Sequence, residues 1–383
     1  MIKLFRISMF QSTRNLICQR FPEYRSAHTT SKSLIHLHER SLLRLEGEEV
    51  SDFLQGLITN DMRHLKEGAT SIYSVFLNIK SRVLYDTIIY KSERENMFYV
   101  ECDTAIINNL SKHLKMYKLR RKVDIHSMDD KMKVWIVYDE NSASQNIDEF
   151  RVKSKSIGRI FPCGSNDSKA SKLVENICIY TDPRISELGL RILTESNVSH
   201  NEIIKHLNFP DSNFILSKNI SDYRAFRYKL GVAEGVQDLP PGVTFPLEIN
   251  CDYLHGVSFH KGCYIGQELT ARTHHTGVVR KRIMPLILDG NENQQFDTDE
   301  KIINENEKIV GKIRNQEGKF VIGLIRIIEA LASKKLTVKN CTLKLVKPQW
   351  WPMESQKVEA TLKSDKKWNP LLANQKNQLK NHL

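Results

Sequence analysis

Beyond Pro285 the sequence breaks into short β-rich runs, MPLILD, EKIVGKIR, KFVIGLIRI, LTVK and CTLKLV, separated by polar turn signals. Regular short strands of this kind leave that part of the chain a small β-barrel or sandwich and little else. The texture ahead of Pro285 is different. GEEVSDFLQG spaces Val50, Phe53, Leu54 and Leu57 as one face of a helix that should stop at Gly56. SIYSVFLN and SRVLYDTIIY read as a hairpin, MFYVEC as a further strand, and Asp103 as the cap of a helix running to about Tyr117. ICIYTDPR and LRIL add strands, and SHNEIIKHL and SDYRAFRYKLG add helices. With 383 residues the chain exceeds one ordinary core, so two or three domains of α+β type followed by a barrel are expected. There is no run of 18 apolar residues, so no membrane-spanning helix is expected.

The formal charge of +12 invites a nucleic-acid reading until it is located. Residues 1–40 hold seven Lys/Arg against Glu23 and Glu39, and residues 354–383 hold six Lys against three acids. Another six, Lys112, Lys115, Lys118, Arg120, Arg121 and Lys122, have no acid among them. The remainder is slightly negative, so no nucleic-acid partner is expected. Cations at a helix end complement its dipole, and the cluster reads as a solvated face or a patch for an acidic partner. The first residues are Arg-rich and acid-poor with apolar Ile2, Leu4, Phe5, Ile7 and Phe10, the character of a mitochondrial transit peptide over 1–33. Seven scattered Cys without a CxxC fit reduced thiols rather than disulfides or a zinc finger.

Residues 231–285 are dense in Gly and Pro, and a long ordered loop in a compact domain is usually functional. Within it Lys261-Gly262-Cys263-Tyr264-Ile265-Gly266-Gln267-Glu268 sets a thiol between glycines and beside a lysine. Glycines permit close approach of a ligand, and an adjacent cation favours the thiolate that binds metal or attacks electrophiles. A lone Cys is more commonly buried and inert. His274 and His275 lie too far along the chain, without a second Cys, to make a zinc site with Cys263. Arg227, Glu248 and Arg272 read equally as loop-fixing ion pairs or as ligand contacts, and Asp61 as a ligand-facing acid or a cap.

KGCYIGQELTARTHH (261–275) closely resembles the signature of the iron–sulfur cluster assembly factor family that includes bacterial YgfZ and its mitochondrial counterparts, relatives of the glycine-cleavage T-protein. GVAEGVQDLPPGVTFPLE, FLQGLITNDM, YSVFLNIKSRVLYDTIIY, TDPRISELGLRIL and PQWWP are further landmarks, so the resemblance spans roughly residues 36–352. It implies two interleaved folate-binding-type α+β subdomains around a central channel, at 34–140 and 141–284, a C-terminal barrel at 285–352 and a basic tail at 353–383. The implied activity is maturation of [4Fe–4S] proteins such as aconitase and lipoate synthase in the mitochondrial matrix. The implied partners are A-type cluster carriers and recipient [4Fe–4S] apoproteins.

On that resemblance Cys263 is the cluster-handling cysteine, within the loop formed by Lys261, Gly262, Tyr264, Gly266, Gln267 and Glu268. Clusters generally take four protein ligands. Cys263 is therefore expected to supply one ligand of a transient cluster shared with the carrier. Joining two [2Fe–2S] units also takes electrons, and GxGxxG is absent, so a reductant is expected from elsewhere. Tetrahydrofolate is the implied small-molecule ligand, with Asp61, Arg227, Glu248, Tyr264 and Arg272 as its expected contacts. The competing reading is a folate-dependent aminomethyl transferase. Those enzymes carry a glutamate in an R-L-E-A-G segment that accepts the pterin's N–H groups. The matching stretch here is Arg227-Tyr228-Lys229-Leu230-Gly231, and an ammonium has no acceptor to offer. The sequence therefore favours an assembly factor built on a transferase-like fold.

Overall fold

The computed structural model describes residues 30–140, 173–174, 176–207, 212–217, 219–290 and 294–352. The chain opens with β1 (Thr30–His36) and β2 (Arg40–Glu46), then α1 (Val50–Gln55) and α2 (Arg63–Lys66). The expected hairpin follows as β3 (Ser71–Leu77) and β4 (Val83–Lys91), then β5 (Met97–Asp103). Asp103 accepts from the Ala105 N–H at 2.8 Å and starts the turn that leads into α3 (Ile107–Lys118), as its position predicts. β6 (Asp124–Ser127) and β7 (Met132–Tyr138) complete this part. β8 (Leu173–Val174), β9 (Ile177–Thr181), β10 (Leu190–Glu195), α4 (His200–Leu207) and β11 (Ser212–Leu216) lead to α5 (Ile220–Leu230). Two short helices, α6 (Gly235–Asp238) and α7 (Gln267–Thr276), flank the Gly/Pro-rich stretch. β12 (Lys281–Asp289), β13 (Lys301–Asn304), β14 (Ile309–Glu317), β15 (Phe320–Arg326), α8 (Ile327–Leu331), β16 (Leu336–Val338) and β17 (Cys341–Leu345) form the C-terminal unit.

These strands make two sheets and a closed barrel. One sheet runs β3-β4-β5-β2-β6, the other β11-β1-β7-β10-β9-β8, and the barrel β12-β15-β14-β13-β16-β17. The interleaving reaches across residue 140. β1 and β7, inside the segment 34–140 or just ahead of it, hydrogen-bond with β11 and β10 and belong to the second sheet. Residues 30–33, placed at the end of the expected leader, are likewise part of β1. The rest of that leader, residues 141–172 and the basic tail from 353 lie outside the described residues.

Strand alternation sorts the side chains into separate cores. On the outer face of the first sheet Leu43, Ile89 and Val100 pack against Leu54 of α1 and Leu110 of α3. The inner faces of both sheets, α5 and the near side of the barrel share one core, in which Tyr73, Tyr90, Ile136, Leu193, Phe226 and Ile283 meet. The helix α4 covers the far face of the second sheet with Ile203 and Leu207. The barrel is filled by Met284, Ile302, Val310, Val321 and their neighbours. The chain is strapped at its described end by Trp350, whose indole N–H donates to the Leu230 carbonyl at 2.8 Å.

The same alternation places charges in the shared core. Arg40, Asp86, Glu101 and Arg191 sit on inward positions of β2, β4, β5 and β10, each at most 7% exposed. Arg191 is bound by Glu101 (2.7 Å), Asp182 (3.1 Å) and Glu234, while Arg184 holds Asp182 and Glu234 at 2.7 Å. Arg40 bridges Asp86 and Glu101. Desolvation alone would raise the Glu234 carboxyl, yet Arg191, Arg184, Arg40 and Arg227 hold it well below its usual range. Burial pushes Asp86 up, with Arg40 opposing.

Candidate functional site at the cysteine loop

The site begins at the end of α1. The chain leaves at Gly56 into the turn Leu57–Asp61, where three polar side chains are buried in an apolar setting. Burial of polar groups requires partners. Thr59 donates to the Gly256 carbonyl at 2.6 Å, and Asn60 donates to the carbonyls of Tyr73 (2.7 Å) and His255 (2.8 Å). Asp61 accepts from the side chains of Gln55 and Arg63. Its carboxyl, which desolvation alone would raise, is pulled down to about 2 by the hydrogen bonds and charge of Arg63, with help from Gln55.

This turn anchors the cysteine loop. The Lys261 ammonium donates to the carbonyls of Ile58 (2.7 Å) and Asn60 (2.6 Å) and lies 4.9 Å from the centre of the Tyr264 ring. Burial lowers its pKa to about 7. Lys261 is thus directed inward onto the 58–60 turn as a fastener, whereas its place beside the thiol had suggested a role in activating it. Ile265 N–H donates to the Gly56 carbonyl at 3.1 Å, and Tyr264 N–H to the Gln267 side chain at 3.1 Å. Gly266 has φ +77°, and a Cβ there would stand 2.4 Å from the Asn78 carbonyl oxygen, so only glycine fits. Gly262 has open space around it. Glu268 is exposed in the first turn of α7.

Between these fastenings Cys263 is exposed. Among the described cysteines Cys102 and Cys251 are buried, and burial pushes both thiols up. The buried, inert reading thus describes those two and not Cys263. His274 and His275 are occupied with each other and with Phe259, on which His274 stacks at 3.5 Å between ring centres. Among the described residues no three His, Cys, Asp or Glu are grouped to hold a metal ion.

The comparisons with known proteins bear on this arrangement. Residues 280–353 match the family model described as the CAF17 C-terminal β-barrel domain, the same barrel seen in the structure. The mouse protein named "Iron-sulfur cluster assembly factor IBA57, mitochondrial" is 34% identical over 336 residues, covering 82% of this chain and 84% of its own. The chain belongs to the IBA57 family. The human member is 33% identical over 84% of this chain and 85% of its own, and the Dictyostelium discoideum homologue 32% over 69% and 64%. In solved structures, the glycine cleavage system aminomethyltransferase T from Bartonella henselae matches with a TM-score of 0.62. At 13% identity, over 84% of this chain and 87% of that one, the likeness shows a shared fold.

In this IBA57-family chain the five expected folate contacts do not line one cavity. Asp61 and Tyr264 belong to the cysteine-loop anchor. Arg227 is buried elsewhere, donating to the Val232 carbonyl (3.0 Å) and to Asp238 (2.8 Å); it lines a cavity of about 20 Å³ with Arg40 and Tyr223 and, with Glu234 and Asp238, an adjoining one of about 370 Å³. Among the described residues the buried Arg40 Nη2 and Arg227 Nε have no hydrogen-bond partner. Glu248 lines a separate groove beside α7, and Arg272 is exposed on that helix. As a set these residues do not fit a folate. Sequence reasoning overlooked Thr59 and Asn60, which tie the loop down. The signal was a run of polar residues closing an otherwise apolar segment, FLQGLITND.

Proposed function

We propose that this chain is a mitochondrial matrix assembly factor that matures [4Fe–4S] proteins, with Cys263 as its single contribution to a cluster shared with an A-type carrier. The observation that carries the reading is the contrast among its thiols: Cys263 alone of the described cysteines is exposed, on a loop fixed at both ends. The carrier's cysteines complete the coordination of four, and the shared cluster passes on to recipient apoproteins such as aconitase or lipoate synthase. Joining two oxidised [2Fe–2S] units into one [4Fe–4S] consumes two electrons, which an external donor supplies. In this chemistry the cluster is cargo, and the protein's residues present the thiolate and hold its loop. Tetrahydrofolate, the ligand implied by the transferase-like fold, enters no step of it.

Anaerobic mixing of the full chain with a cluster-loaded A-type carrier tests the reading. A one-to-one complex with cluster absorption is expected, and Cys263→Ser should abolish the shared cluster while the melting temperature stays unchanged. A Cys263→Ser protein that still holds a cluster jointly with the carrier would overturn it.

A further inference from the structure

Three large apolar side chains are exposed on the face that carries Cys263: Ile79 at 83%, Val278 at 58% and Val243 at 40%. Single exposed hydrophobics need no explanation, but a contiguous set does. Contiguity follows from the packing. The β3–β4 turn that bears Ile79 lies against Gly266, three residues from the thiol. The same turn is tied to the 242–248 segment: Val83 N–H donates to the Thr244 carbonyl at 2.9 Å, Gly242 N–H to the Val83 carbonyl at 2.7 Å, and the Arg82 guanidinium donates to the Val243 carbonyl and lies 3.7 Å over the Phe245 ring.

Beside that segment is a cavity of about 240 Å³, walled by Phe245, Leu247, Leu269, Thr273 and Val278. Thr270 of α7 also lines it and is 3% exposed. The surrounding charge is one-sided. Lys80, Arg82, Arg272, Arg280 and Lys281 stand against Glu248 and Glu268, and Lys261 is spent on the 58–60 turn.

We propose that this face is the docking surface for the cluster carrier, and that the cavity takes an apolar side chain of the carrier ringed by carboxylates. The proposal rests on Cys263 as a shared ligand and adds what holds the carrier in place while the thiolate binds. Apolar anchors in a socket with a polar rim are the usual anatomy of a specific interface. The basic cluster on α3 is the other exposed candidate, with Met116 at 62% and Leu119 at 85%. It adjoins neither this cavity nor the thiol.

The test is calorimetric titration of cluster-free carrier into the full chain. The double variant Ile79→Asp/Val278→Asp, and separately Thr273→Trp to fill the cavity, should each weaken binding about tenfold or more, with unchanged melting temperatures. Affinity should fall as salt rises. The control Met116→Asp/Leu119→Asp should bind as wild type does, and Cys263→Ser should dock within about twofold while losing the shared cluster. Normal binding by both face variants, no binding by wild type, or loss confined to the α3 control would overturn the proposal. So would a dimer of the chain alone that Ile79→Asp/Val278→Asp dissolves, because the face would then cover a second copy. Retention of the cluster by Cys263→Ser would instead overturn the ligand reading and leave the docking result to stand by itself.

Discussion

The molecule treats charge in two opposite ways. In the shared core Arg40, Arg184, Arg191 and Arg227 are matched against Asp86, Glu101, Asp182, Glu234 and Asp238 with almost no solvent. At the cysteine loop the charges are local fasteners: Lys261 on two carbonyls, and Asp61 on its own turn. In a buried lattice of this kind, removing one charged partner leaves another uncompensated and is strongly destabilising. The loop, by contrast, spends its polar groups on holding backbone and leaves the Cys263 thiol exposed.

That contrast can be broken most decisively at its centre. Arg191→Met strips Glu101, Asp182 and Glu234 of a common partner, and should cost about 3–5 kcal/mol in chemical denaturation. A variant of near wild-type stability would mean that the centre is more solvated than its geometry implies. Gly266→Ala comes next. It forces a side chain into a left-handed conformation and against the Asn78 carbonyl, and should cost roughly 2–3 kcal/mol. It should also lower cluster sharing more than its stability loss explains, because it displaces the loop that carries the thiol. The smallest effects concern pH. The folded Asp61 pKa of about 2 lies below its ordinary 3.8, so its stabilisation is full above that ordinary value and disappears as pH falls through about 2. Asp61→Asn should flatten the acid limb of the stability curve. Lys261 runs the other way: with the folded pKa near 7 and the ordinary value at 10.5, the unfolded chain binds the extra proton between them, and stability rises with pH across that window. Lys261→Met should remove that rise.

Much of this was legible from residues alone. The stop of α1 at Gly56, the hairpin of β3 and β4, the Asp103 cap, α5 and most barrel strands each follow from a local signal of period, turn or cap. Among the strands that escaped were β2, β7 and the brief β13, and also β1 and β11, whose parallel pairing joins Thr30 to Ser212 and leaves no signature in neighbouring residues. The charge lattice escaped for a similar reason. Asp86 in VLYDTIIY is a visible oddity within an apolar strand, but its partners lie on β2 and α6 and only the fold assembles them. At the site the thiol and its glycines announced themselves, whereas the role of Lys261 depended on a turn two hundred residues earlier.

The pairing of β1 also sets a timetable. A chain delivered from its N-terminal end can finish the first sheet once Ser127 has arrived, since all its strands lie between Arg40 and that residue. β1 precedes that sheet but cannot join it; one of its edges waits for β7 and the other for β11. From the arrival of His36 until that of Leu216 an open strand edge is therefore on offer to any passing neighbour, a hazard for aggregation that ends only when Ser212–Leu216 closes it. The slow, long-range closure of this one strand, rather than the barrel that follows, is the step at which a folding helper would have the most to contribute.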